Sequence, residues 1–215
     1  IEGREFTTDL KAQKNEVELE GMRRAHLLDG VALVNFLGRL DRENGSYTEL
    51  ELAKRLLDER SRNEHFLGES FNAISGFGAH GAIVHYAADE QSNAKVEGDG
   101  LLVLATGGTY AFGTTDVTRT ILFGTPTEEK IRDYTLVLKG HLALASARFP
   151  EGTNGYQLDV LARQHLWREG LSYFHGTGHG VGFRLNVHEG PQSISPKPIV
   201  APLKEGMVVS DEPGI

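Results

Sequence analysis

The feature that most constrains this chain is a plan of elements that runs along it twice. Asn15 with Glu18 three residues later reads as a capping box, in which each side chain satisfies a main-chain N–H at a helix start. Behind it Met22, Ala25, Leu28, Ala32, Phe36 and Leu40 recur close to helical period. A second box, Ser46 to Glu49, opens a helix carrying Leu50, Ala53 and Leu57. Glycine-broken, strand-like sequence follows from Phe71 to Tyr86. The apolar run Leu101–Leu104 suits a buried strand, and Tyr110 to Phe123, rich in Thr, Val and Ile, reads as another. At Thr125-Pro126-Thr127-Glu128 the plan restarts, with Thr125 as N-cap, proline in the first turn and a box glutamate. Ile131, Tyr134, Leu138, Leu142 and Ala145 continue that helix toward Pro150. Tyr156 to Trp167 is the next helix, closed by Gly170 as a C-cap glycine, and glycine-rich strands run to the end. Two helices then strands, twice, predicts a duplicated α+β unit with no linker between the halves.

Composition narrows the function classes. A formal charge of -8 disfavours a sequence-independent nucleic-acid binder, which wants a basic surface. No apolar run approaches the roughly 20 residues of a membrane helix, so no membrane partner is expected. Cysteine is absent, which excludes disulfides and thiolate metal sites and is compatible with a reducing cytoplasm. Any metal must therefore be held by oxygen and imidazole. Glycine, at 26 of 215 residues, exceeds the usual share of about 7% and clusters late in the chain. Close backbone packing around a site is the expected reason.

Three segments carry candidate chemistry. They are Gly113-Thr114-Thr115-Asp116-Val117-Thr118-Arg119-Thr120, then His175-Gly176-Thr177-Gly178-His179-Gly180 with Asn186-Val187-His188-Glu189-Gly190-Pro191, then Ser210-Asp211-Glu212-Pro213-Gly214. They place Asp, His and Glu on separate strand-like pieces. An ion that activates water needs anionic oxygens to hold it and an open position for the water. Carboxylates with a single imidazole suit Mn²⁺, Fe²⁺, Co²⁺ or Zn²⁺. His188 reads as a proton shuttle or supporting group, since an imidazole titrates near neutrality. Gly176–Val181 is not a dinucleotide loop, because its last glycine is missing. His175 and His179 stand four apart, but Gly-Thr-Gly between them is not the helix of a zinc protease.

These segments, with Ile83-Val84-His85-Tyr86, resemble the pita-bread metallopeptidase family, in its Xaa-Pro aminopeptidase branch, beside prolidase and methionine aminopeptidase. The match runs from about Asp9 to Gly214. It implies an α+β, pseudo-symmetric pita-bread fold, in agreement with the repeat. It implies residues 1–12 as a linker from a preceding domain and residues 13–215 as the catalytic domain, incomplete at its C-terminus. It implies two divalent ions, manganese foremost, on two aspartates, one histidine and two glutamates. By position Asp116, His179 and Glu212 match three of those ligands, with Glu212 also the base for the attacking water. His85, His175 and His188 match histidines that bind substrate and relay protons. The implied reaction removes an N-terminal residue that precedes proline from a peptide, in the cytoplasm, and the family allows a homodimer.

The chain departs from the family pattern at one position within the match. The first aspartate belongs eleven residues before Asp116, where Ala105 stands. Alanine binds no metal, and the family's final glutamate lies beyond Gly214, so one ion at most is expected on this chain. The alternative reading is a non-catalytic module that binds peptides or proteins through the same groove.

Overall fold

The computed structural model describes residues 6–43, 45–198 and 201–215 of the chain. Of the expected linker, residues 1–5 lie outside these, and Phe6–Ala12 is a short helix, α1. The first capping box forms as read. The Asn15 N–H donates to Glu18 at 2.9 Å, and the Glu18 N–H to the Asn15 side chain at 3.0 Å. It starts the helix α2, Glu16–Arg42. Contacts divide the chain into a first unit, residues 20–126, and a second unit, residues up to 19 with 127–215. The division at 127 falls where the helix–helix–strand plan restarts. No helix among the described residues is long and apolar enough to cross a membrane.

In the first unit α2 is followed by β1 (Tyr47–Thr48), α3 (Glu49–Arg60), β2 (Phe66–Glu69) and β3 (Ile74–Phe77). A 3-10 turn (Gly78–Ala82) leads to β4 (Lys95–Val96), β5 (Gly100–Thr106), β6 (Gly108–Tyr110), β7 (Gly113–Thr114) and β8 (Val117–Phe123). Two antiparallel sheets result, β3-β5-β8 and β2-β6-β7, beside the pair β1-β4. The strand expected over Tyr110–Phe123 is three pieces. Tyr110 pairs with Gly113 in a tight hairpin, and Thr115 then leaves the ladder because its hydroxyl serves the Gly108 N–H and Asp29. Alternation along β5 buries Leu102, Leu104 and Thr106. The two leucines pack with Leu33, Phe36, Leu52 and Leu56, and each leucine so buried contributes roughly 1.5–3 kcal/mol.

The start of α3 corrects the sequence reading. The N-cap is Thr48, not Ser46. Its hydroxyl accepts from the Glu51 N–H at 3.3 Å, and Glu51 answers the Thr48 N–H at 2.8 Å. The buried face carries Leu52 and Leu56, packed into the core, and leaves Leu50 exposed. The two-residue shift of the cap frees Glu49 for another task. Fully buried, it accepts from the N–H groups of Phe77 and Ala94, the Tyr86 hydroxyl and His80 Nδ1, clamping the loop that carries His85.

The second unit adds α4 (Glu128–Ala145), α5 (Gly155–Trp167), β9 (Gly178–His179) and β10 (Ser193–Ile194). Here too the cap lies two residues on: Thr127, not Thr125, accepts from the Lys130 N–H at 3.3 Å. The expected apolar stripe of α4 is not its buried face. Ile131, Tyr134, Leu138 and Leu142 are exposed, while Leu136, Gly140 and Leu144 are buried. Gly140 decides the crossing, since a Cβ there would overlap the Ala162 carbonyl of α5. α5 is capped by an Asn154–Gln157 box and ends at Gly170, whose φ of 72° is the left-handed turn expected of it. The glycine-rich tail forms few strands. β9 pairs with β10, single bridges join Gly180 to Val209 and Gln13 to Met207, and irregular loop takes the rest.

Candidate functional site

The site is built from loop ends held by main-chain bonds. In the second unit His179 ends β9, and the Glu212 segment runs beside it. The Ser210 N–H donates to the His179 carbonyl at 2.9 Å, and the Glu212 N–H to the Thr177 carbonyl at 2.6 Å. This approach requires Gly178, where a Cβ would overlap the Ser210 carbonyl oxygen. The Ser210 hydroxyl accepts from the His179 N–H at 3.0 Å and donates to Glu212 Oε1 at 2.5 Å. His179 Nε2 then stands 3.0 Å from that same Glu212 oxygen.

The tautomer of His179 gives this contact its meaning. Nδ1 lies 2.9 Å from the Gly180 carbonyl, which can only accept, so Nδ1 carries the hydrogen. In a neutral ring Nε2 therefore presents a lone pair to a carboxylate oxygen. Two such groups at 3.0 Å repel unless a cation, proton or metal ion, lies between them. A first-row metal ion shared by the two groups would meet that requirement. Imidazole and carboxylate are also the donors such ions take.

Electrostatics agree with an ionised Glu212. With a proton on Nε2 as that cation, burial still pushes the Glu212 carboxyl up, but the hydrogen bonds from the His179 imidazolium and from Ser210 and the charges of His179 and His188 outweigh this and hold it below the usual range. Its neighbour Asp211 behaves oppositely. Burial pushes it up to about 6, with His141 at 2.9 Å pulling the other way.

His188 meets His179 edge-on at 4.2 Å between ring centres. His175 also donates from Nδ1, to the Gly176 carbonyl at 2.8 Å, and its Nε2 lies beside Gly214. The second unit thus brings His175, His179, His188 and Glu212 onto one loop cluster. Asp116 and His85 belong to the first unit. Asp116 is half-buried between β7 and β8, and His85 is exposed with a φ of 59° after the 3-10 turn. Ala105 lies on β5 between Ile74 and Thr118.

Several residues at the site have roles that the sequence motifs do not reveal. Ser210, in the Ser-Asp-Glu-Pro-Gly segment, bridges His179 and Glu212. Lys14 is buried, with Nζ 3.3 Å from Glu189, the neighbour of His188. Asp159 and Arg163 are also buried. Their signal was present: two opposite charges four apart on α5, flanking the apolar positions Leu158, Ala162 and Leu166.

A family profile matches residues 20–215, and its description is metallopeptidase family M24. The chain belongs to that family. It is 47% identical to a probable Xaa-Pro aminopeptidase P of Arthroderma gypseum, over all of this chain and 35% of that protein. It is 50% identical to aminopeptidase P2 of Arabidopsis thaliana, over 95% of this chain and 29% of that one. Among solved structures, X-prolyl aminopeptidase from Caenorhabditis elegans superposes with a TM-score of 0.94 at 45% identity, over 97% of this chain and 35% of its own. It is described as a cytosolic enzyme with a di-nuclear active site. Prolidase from Pyrococcus furiosus superposes with a TM-score of 0.85 at 28% identity, over 97% and 59%. The α+β pita-bread fold implied by the sequence is thereby confirmed. The chain spans about a third of the length of the curated relatives it matches.

Proposed function

We propose that this chain is the catalytic domain of a metal-dependent aminopeptidase that releases an N-terminal residue preceding proline. The observation that carries the reading is His179 Nε2 standing 3.0 Å from Glu212 while Nδ1 is committed to the Gly180 carbonyl, a pair that needs a cation between its members. Family membership and the names of the relatives support it. In this reading Asp116 joins His179 and Glu212 as ligands, and Mn²⁺ is the foremost ion. Ala105 leaves one ion as the expected load. A bound divalent ion lowers the pKa of water and polarises the scissile carbonyl.

The chain's own residues do the rest. Glu212, kept ionised by His179 and Ser210, takes the proton of the attacking water. His188 and His175 carry a proton toward the prolyl nitrogen as its bond to the carbonyl carbon breaks. His85 lines the substrate site and shares in the proton relay. A cytoplasmic setting and a homodimer belong to the same proposal, the first supported by the description of the Caenorhabditis elegans relative.

The test is metal per chain after dialysis against Mn²⁺, with cleavage of an Xaa-Pro peptide followed in parallel. One ion bound, lost in His179→Ala, is the expected result; no ion bound overturns the ligand set. Ala105 favours one other reading, a peptide- or protein-binding module without catalysis. Ala105→Asp, in a chain carrying the family's final glutamate, separates the two. Cleavage appearing there marks an enzyme with one lesion, and continued silence marks the module.

A further inference from the structure

We propose that a buried quartet in the second unit, Asp159, Arg163, Tyr173 and Thr177, is a positioning device that fixes where His179 and Glu212 stand. The inference rests on the reading of those two residues as metal ligands. Arg163 is its centre. Nε donates to Asp159 at 2.6 Å, Nη1 to the Tyr173 carbonyl at 2.6 Å and Nη2 to the His175 carbonyl at 2.8 Å. The guanidinium also lies 3.8 Å from the centre of the Tyr173 ring. The second Asp159 oxygen accepts from the Thr177 hydroxyl at 2.5 Å. Thr177 having given its proton there, Tyr173 donates to Thr177, also at 2.5 Å. The network is buried and satisfied throughout.

Thr177 transmits this to the site. Its side chain is tied to α5 through Asp159. Its N–H donates to Ile194 on β10 at 2.9 Å, and its carbonyl accepts from the Glu212 N–H at 2.6 Å. Two residues on, His179 is locked to Ser210. A displacement of Thr177 therefore moves both groups, while the carbonyl bonds of Arg163 set the segment carrying His175.

Stability alone does not call for such a network. A buried ion pair is often no better for stability than apolar side chains of the same size. Leu158, Ala162 and Leu166 already anchor α5. What a fully satisfied buried network supplies is one preferred arrangement. The first unit carries the same four residue types in the same chain order. Arg60 donates to Asp29 at 2.6 and 3.0 Å, Tyr110 donates to Asp29 at 2.9 Å and Thr115 at 3.0 Å. Thr115 immediately precedes Asp116. The recurrence next to the third proposed ligand is independent of the first set.

The experiment compares Thr177→Val, Thr177→Ser and the milder Tyr173→Phe in the full chain. Amide hydrogen exchange is read without metal, then Mn²⁺ affinity by calorimetry. Leu52→Ala, a core variant in the first unit, controls for general destabilisation. Thr177→Val should speed exchange of the Glu212 N–H at least about tenfold relative to the other amides. It should weaken Mn²⁺ binding about 10–100-fold, as loss of groups that orient ligands does elsewhere. Tyr173→Phe should move both in the same direction by less, and Thr177→Ser should restore both. Uniform acceleration of all amides, or a Glu212 amide that exchanges as in the parent, overturns the inference. A parent chain that binds no Mn²⁺ overturns the ligand reading instead, and the exchange comparison still decides the positioning.

Discussion

Replacing Arg60 with methionine isolates what burial does to an ion pair. Arg60 and Asp29 side chains are 1% and 0% exposed. Asp29 accepts from two Arg60 nitrogens and from the Tyr110 and Thr115 hydroxyls, all between 2.6 and 3.0 Å. Arg60→Met keeps length and apolar contact but leaves a buried carboxylate with two hydroxyl donors and no counter-charge. Removing one partner of such a pair costs about 3–5 kcal/mol. In a chain of this size that lowers Tm by about 6–20 °C. The Lys54–Asp58 pair on α3 is equally short, 2.8 Å, but its side chains are 71% and 56% exposed. Lys54→Met should cost only about 0.3–0.5 kcal/mol. The assay is urea unfolding of Arg60→Met, Lys54→Met, Asp29→Leu and the double variant Asp29→Leu/Arg60→Met. The double variant loses the charges together but orphans the hydroxyls of Tyr110 and Thr106, at about 1–3 kcal/mol for a buried group left unpaired, while Thr115 keeps Gly108 as partner. It should therefore cost clearly less than the sum of the two single changes. Additive costs, or an Arg60→Met penalty no larger than that of Lys54→Met, would refute the reasoning.

Mn²⁺ at about a hundred times its Kd should stabilise the chain by about 2.7 kcal/mol, read by thermal melting, and Glu212→Gln should abolish the shift. Glu49 is buried, but the N–H groups of Phe77 and Ala94 with Tyr86 and His80 outweigh that burial and hold its carboxyl below the usual range. Its contribution is thus complete above the unfolded value of about 4.3 and is lost as pH falls through the lower folded value. Glu49→Gln should cost roughly 1–3 kcal/mol near neutrality and flatten the acid limb of a plot of urea midpoint against pH below about 4. Gly178→Ala places a Cβ on the Ser210 carbonyl and should weaken Mn²⁺ binding at least about tenfold in calorimetry; unchanged affinity would mean the strands part without disturbing His179.

Local chemistry was legible wherever neighbours in sequence act on each other. The Asn15–Glu18 box, the extent of α5, the Gly170 stop and the β5 run all form as the residues demand, because caps and periodicity act within a few positions. The segments bearing His175, His179, His188 and Glu212 were equally plain, since glycine beside histidine marks close backbone approach. Errors arose where two local solutions were near in energy. Ser46 and Thr48 both cap well, as do Thr125 and Thr127, and packing chose the later one each time.

Tertiary structure alone decided which stripe of α4 is buried, because Gly140 admits the Ala162 carbonyl where a side chain would not fit. It made Glu49 a clamp for a loop some thirty residues away, and it turned Asp159, Arg163, Tyr173 and Thr177 into one network. Periodicity cannot reveal such roles, since a buried charge has the same letter as an exposed one. The residue types at the site came from the sequence. That Nε2 is the nitrogen of His179 left to face Glu212 came from a carbonyl that only the folded chain places beside Nδ1.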